Sequence, residues 1–174
     1  VRYTTSGEIK LEQTQPFISS KTHTIIMSHN GHITKNKVLF EYCKKNKIDY
    51  DNTDSKILFD VLTNSCNQHD VITNKIICDI VKNIIEMFDG SFSIICYISN
   101  FGMFAFKDKY GIRPLVYGTY NNNIIIASES IAIDSINYNI INDVYGGELY
   151  IFNEKMIDSR TVDDYNIINN KIIK

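Results

Sequence analysis

The chain has 174 residues, 18 Lys and Arg against 20 Asp and Glu, and a formal charge of −2. That balance excludes the basic surface that non-specific nucleic-acid binding needs, and 22% charged with 11% aromatic residues excludes an acidic disordered tail. No apolar run approaches the roughly 18 residues of a membrane helix, no basic-then-apolar signal segment opens the chain, and the length fits about one domain at roughly 150 residues each.

In chain order, residues 1–22 read as loop or extended chain, because Gly7 and the Gln15-Pro16-Phe17 step oppose a helix. Thr24 to Met27 is a β-branched and apolar run and reads as a short strand. Ser28 to Gly31 carries turn-type residues and should break it. From Lys37, the apolar positions Val38, Leu39, Tyr42 and Cys43 share one helix face. Asp54 opens a second helix and could cap its first turn, with Ile57, Leu58, Val61 and Leu62 at the same spacing. Ile77, Ile80, Val81, Ile84, Ile85 and Phe88 define a third helix that Asp89-Gly90 stops.

The period then changes. Phe92 to Ile98 and Phe101 to Phe106 form a hairpin about Ser99-Asn100. Asp108 to Pro114 is a loop in which Asp108 and Arg113 can pair. Leu115 to Tyr117 and Ile124 to Ala127 are strands about an Asn-rich turn; the Ile and Asn bias reflects AT-rich coding rather than function. Ser128 to Ile136 suits a short helix capped by Ser128, with Ile131 and Ser135 one turn apart. Gly147 to Phe152 and Lys155 to Ser159 read as a closing hairpin, and the tail from Thr161 can fray. Helices and strands are segregated, which gives an α+β class with antiparallel sheets. Cys43, Cys66, Cys78 and Cys96 have no paired spacing. They read as buried free thiols of a reducing compartment, the cytoplasm, with Cys66 in a loop.

Four segments carry candidate chemistry. Arg2 to Gly7, ahead of Gln15 to Phe17, offers a guanidinium fork for a carboxylate beside a Gly and hydroxyls; alone it reads as a surface Arg. Ser28 to Ile33 contains Asn30 and Gly31, an amide and a backbone N–H able to meet one developing oxyanion; alone it reads as a tight turn. Asn52 to Ser55 is either a helix cap or an anion for a ligand ammonium. Lys107 to Leu115 is a braced loop.

In this order the four resemble the glutaminase domain of the amidophosphoribosyltransferases. Ala127 to Ser130 and Gly147-Glu148 extend the likeness over about residues 1–152. Tyr3, Gln15 to Phe17 and Tyr110 to Leu115 favour that family over glucosamine-phosphate synthase, the alternative amidotransferase; a non-catalytic glutamine-binding relic is the third reading. The resemblance implies a four-layer αββα sandwich of the N-terminal-nucleophile hydrolase type with two antiparallel sheets. It implies that Arg2 clamps the glutamine carboxylate on a closing loop with Thr5 and Gly7. Asn30 and Gly31 form the oxyanion hole, and Asp54 holds the α-ammonium. The expected partners are L-glutamine and, through another domain, phosphoribosyl pyrophosphate, with neither nucleic acid nor membrane, in a homo-oligomer. The expected cofactors are none in this chain, with magnesium and in some members an iron–sulfur cluster in the full-length protein.

Departures are informative. The family's nucleophile is an N-terminal Cys several dozen positions before the Arg-Tyr segment, whereas this chain opens at Val1. The chain therefore reads as a piece of a longer product: residues 1–160 a partial glutaminase domain, 161–174 a polar tail or the start of a connection. On this reading the chain alone should neither hydrolyse glutamine nor fold robustly. His32 and Lys35 replace frequent Asn residues, Lys56 replaces Glu, and Lys109 replaces Pro. His32 reads as a solvated surface residue.

Overall fold

The structure, a computed structural model, describes residues 13–120, 123–136, 139–153 and 156–161. Nine strands and four helices follow the order β1 (Phe17–Ser20), β2 (Thr24–Thr34), α1 (Lys37–Asn46), α2 (Asp54–Cys66), α3 (Asn74–Met87), β3 (Asp89–Ile98), β4 (Gly102–Lys107), β5 (Val116–Tyr120), β6 (Asn123–Ala127), α4 (Ser130–Asp134), β7 (Asn139–Asp143), β8 (Glu148–Asn153) and β9 (Met156–Thr161). A six-stranded sheet runs β1-β2-β3-β4-β8-β9 and a three-stranded sheet runs β6-β5-β7. Every pairing is antiparallel.

The layers follow from alternation along the strands. Ile25, Met27 and Ile33 of β2, Phe92, Ile94, Cys96 and Ile98 of β3, Phe104 and Phe106 of β4, and Leu149 and Ile151 of β8 face one way. They pack with Ile57, Leu58, Val61 and Leu62 of α2 and Ile77, Val81 and Ile84 of α3. The intervening positions Ala105, Tyr150 and Phe152 face the other way and pack with Leu115, Tyr117 and Val144, which seats the small sheet on the large one. Helix α4 lies on the outer face of the small sheet, against β5, β6 and β7. The result is the expected αββα order, with one short helix as the fourth layer.

The two sheets are unequal in width. The row Ile18, Ile26, Tyr97 and Met103 crosses the large sheet on the face that carries the small one. Met103 packs into the inter-sheet core, while Ile18 is 63% and Tyr97 44% exposed. Among the described residues, the β1–β2 half of this face is therefore open.

The helix starts show how local chemistry fixes boundaries. Asn36, Thr53 and Thr73 cap α1, α2 and α3, and each side chain accepts the backbone N–H three residues on, satisfying one of the otherwise orphaned donors. Asp54 is thus the first helical residue rather than the cap.

Other expectations need correction. The strand at Thr24 does not break at Ser28; it runs to Thr34, because β3 pairs with it through His29, Asn30 and Gly31 without interruption. Phe17–Ser20 forms a strand within the segment read as loop or extended chain, and β7 falls where no strand is expected; its Asn-flanked sequence lacks a strong strand signal. Cys66 ends α2 in the core and does not lie in a loop. Ser128 does not cap α4: its N-cap is Glu129, which makes no side-chain capping bond. The buried residue of α4 is Ile133, while Ile131 is exposed. Arg2, Thr5, Gly7 and the tail from Val162 lie outside the described residues.

Gly118 shows how closely the fourth layer sits. A Cβ there would stand 2.7 Å from both the Asn139 carbonyl oxygen and Ile133 Cγ2. Gly118→Ala should cost about 1–3 kcal/mol through overpacking, read as a lowered urea midpoint with an unchanged denaturant slope.

Candidate active site

The candidate residues gather where β2 passes the N-terminus of α2. Strand β1 reaches along β2 only to Met27, opposite Phe17. Beyond that point the outer edge of β2 presents backbone groups that need other partners. The His29 N–H donates to Gln15 Oε1 at 2.6 Å, and the Ile33 N–H donates to Asp54 Oδ2 at 3.0 Å. The ladder repeats every two residues, so the Gly31 N–H points to the same edge between these two. Among the described residues it meets no partner, whereas the donors on either side of it do.

Position 31 must be glycine. Its φ is +150°, and a Cβ would stand 2.2 Å from the Ser91 carbonyl oxygen and 2.7 Å from Phe92 Cα. The neighbouring Asn30 side chain lies on the opposite sheet face from His29, in the exposed half. An amide side chain and an unpaired backbone N–H therefore stand on adjacent residues at one strand edge.

Asp54 is fixed from both sides. Its Oδ2 takes the Ile33 N–H, and its Oδ1 takes the Ser55 N–H at 2.8 Å. Ser55 Oγ lies 3.4 Å from Oδ1 and 2.7 Å from His29 Nδ1. His29 and Ser55 are both buried. A short relay, His29–Ser55–Asp54, thus locks the strand that carries Asn30 to the helix that carries Asp54. His32 stands beside the same carboxylate, its Nδ1 3.7 Å from Oδ2.

A second brace holds the strand behind Gly31. Gly31 pairs with Phe92, whose N–H donates to Asp108 Oδ2 at 2.9 Å. Asp108 Oδ1 accepts from Tyr110 N–H at 2.8 Å and Gly111 N–H at 3.1 Å. The expected Asp108–Arg113 pairing is not what braces this loop: the carboxylate engages backbone donors, and Arg113 Nε is buried without a partner among the described residues. Across the sheet, Asn30 pairs with Ser93 and Ser93 with Lys107, a polar row in which Lys107 is only 6% exposed. Burial pushes its ammonium below the usual lysine range, against the opposing pull of Asp108 and Asp143.

The thiols take no part in this site. All four are buried. Burial pushes the Cys66 thiol up to about 12, raises Cys96 well above the ordinary thiol value with help from Cys66, and together with Asp60 raises Cys43. Among the described residues no three His, Cys, Asp or Glu side chains group to hold a metal ion.

Sequence reading gave roles to Asn30, Gly31 and Asp54 and carried His29, Ser55 and Gln15 only as motif residues without a role. His29 continues the inward alternation of Ile25 and Met27, a signal lost once Ser28 to Gly31 is taken for a turn.

Two antiparallel sheets between helical layers, with an Asn-Gly edge beside an anchored Asp, place the domain in the αββα class. A family model described as a glutamine amidotransferase domain matches residues 6–135, and the chain belongs to that family. It is 30% identical to the amidophosphoribosyltransferase of Escherichia coli over 97% of this chain and 35% of that one. It is 31% identical to that of Methanothermobacter thermautotrophicus over 88% and 31%, and 26% identical to that of Saccharomyces cerevisiae over 87% and 31%. The solved glutamine phosphoribosylpyrophosphate amidotransferase of B. subtilis superposes with a TM-score of 0.73 at 24% identity, over 93% of this chain and 34% of that one. A structure described as the allosteric regulatory enzyme of purine biosynthesis gives 0.75 at 25% identity, with the same coverage. The chain thus spans about a third of the length of the relatives it matches.

Two measurements check the site's construction. Ser55→Ala leaves a buried histidine nitrogen without its partner and should cost about 1–3 kcal/mol in chemical denaturation. Iodoacetamide at pH 8 should leave Cys43, Cys66, Cys78 and Cys96 unlabelled in the native protein and label all four in guanidinium, as mapped by mass spectrometry. The same burial makes stability fall as pH rises from about 9, where an unfolded thiol ionises, towards about 12, where folded Cys66 does.

Proposed function

We propose that this domain binds L-glutamine and releases ammonia from its side-chain amide. In the full-length protein that ammonia serves an amidophosphoribosyltransferase, which forms phosphoribosylamine from phosphoribosyl pyrophosphate at the start of purine synthesis. The observation that carries this reading is the open Gly31 N–H beside the Asn30 amide. Two donors at one strand edge suit the oxygen of a tetrahedral intermediate, which gains negative charge only as the reaction proceeds.

The substrate is a zwitterion, so its recognition needs an anion and a cation. Asp54 supplies the anion. Its carboxylate is held by the Ile33 and Ser55 N–H groups, so it does not have to reorganise when an ammonium arrives. Arg2 is our candidate for the cation, with Thr5 and Gly7 beside it in the loop that closes over the carboxylate.

Chemistry then needs a nucleophile. A thiolate attacks the amide carbon, the C–N bond breaks, and the amide nitrogen leaves as ammonia after taking up the thiol proton. Water hydrolyses the resulting thioester to glutamate. The four interior thiols are unsuited to this, because burial puts them out of reach of substrate. We assign the attack to an N-terminal cysteine of the full-length protein whose own α-amine accepts the proton. Residues 1–160 then form part of the glutaminase domain, and 161–174 lead into the connection that follows. We place the working protein in the cytoplasm as a homo-oligomer, with any magnesium or cluster outside these residues.

In the full-length protein, Asn30→Ala should lower kcat for glutamine hydrolysis by about 10²–10³ with little change in KM. Asp54→Asn should raise KM by tenfold or more with the smaller change in kcat. Ammonia-release assays with both variants test the reading. Unchanged kinetics in Asn30→Ala would remove the oxyanion assignment, and appreciable glutaminase activity from the 174-residue chain alone would remove the external nucleophile.

A further inference from the structure

We propose that His32 is a pH-sensitive member of the glutamine site, occupying Asp54 when protonated and so weakening capture of the α-ammonium. This rests on the reading of Asp54 as the ammonium's partner. Nδ1 of His32 lies 3.7 Å from Asp54 Oδ2, with the two side chains 66% and 20% exposed. Position 32 is one residue before the Ile33 N–H that fixes the same oxygen, so strand geometry sets the imidazole and the carboxylate side by side.

The charged groups around this pair are engaged elsewhere. On α2, Lys56 is bound to Asp60 and lies over the Phe59 ring. On β3, the residue opposite His32 is the uncharged Ser91, and Asp89 accepts from Asn36. Beyond the end of β2, the Lys35 ammonium donates to the Tyr50 carbonyl. On β4, Lys107 lies two strands away in the row of Asn30 and Ser93. Among the described residues, Asp54 is the charge that His32 meets.

Both protonation states act in the same direction. A neutral imidazole has one nitrogen with a lone pair, and Nδ1 in that form adds an acceptor beside Asp54 for an incoming ammonium. A protonated imidazole donates to Asp54 and repels the ammonium. Affinity for the ammonium therefore falls when this imidazole takes up a proton. When nine in ten molecules carry protonated His32 and those molecules are wholly excluded, the apparent Kd rises about tenfold. Screening at this exposed position makes that a ceiling.

The test uses the full-length protein and radiolabelled L-glutamate, the product that keeps the α-ammonium and is not consumed. Equilibrium dialysis gives Kd from pH 8 to pH 5.5 for the wild type, His32→Asn, His32→Lys and Asp54→Asn. The expected result is a rise of about three- to tenfold in the wild type as pH falls, a flat profile in His32→Asn, and weak, pH-independent binding in His32→Lys. Parallel profiles in wild type and His32→Asn would overturn the inference. If Asp54→Asn binds as the wild type does, the underlying assignment of Asp54 fails instead. Melting curves by circular dichroism confirm that the exposed substitutions leave the fold intact.

Discussion

The hydrogen bond from His29 to Ser55 joins the two parts of the molecule that chemistry requires to stay in register. Strand β2 brings the donor pair and helix α2 brings the carboxylate, and no covalent feature sets their separation. A buried imidazole on a buried hydroxyl, with the hydroxyl against Asp54, converts two elements into one rigid unit. Leaving either partner unsatisfied in the core is costly, so the bond holds geometry as well as contributing stability. The Asp108 carboxylate does the same on the far side, where it grips the backbone of Phe92 behind Gly31. The site is thus clamped from both flanks, with its one open donor in between.

Belonging to the glutamine amidotransferase family explains why such clamping is needed. Preorganised donors stabilise a transition state because they do not move when charge appears. The dense aliphatic layer under β2, β3 and α2 provides the stiffness, since a close-packed core resists displacement. The candidate site lies at a strand edge, and that edge is accessible because β1 stops at Met27 and, among the described residues, leaves the next seven residues of β2 without a strand on that side.

Much of this was legible in the sequence, and the failures have physical causes. The three long helices followed from 3–4 spacing, and the β3–β4 hairpin and the αββα order followed from period and resemblance. Asn30, Gly31 and Asp54 were found as motif residues. Their surroundings were misread because Asn-Gly is strongly associated with turns, whereas in β2 the ladder with β3 overrides local preference and uses glycine for a close approach to Ser91. The Asp108–Arg113 pairing looked natural from charge alone. Backbone N–H groups compete for the same carboxylate, and their need for partners is invisible in a list of side chains. Thr53 rather than Asp54 caps α2, and that one-residue difference frees the Asp54 carboxylate to face β2.

The unequal width of the two sheets has a consequence for how such a site can diversify. Asn30 stands on the half of the large sheet that the three-stranded sheet does not roof. Whatever chain lies over that half sets the space above the amide without altering the clamps beneath it. Changes in that cover can therefore alter the space open to a side chain, while the strand, with its relay and its obligatory glycine, stays the same. The architecture separates the part that must not vary from the part that is free to.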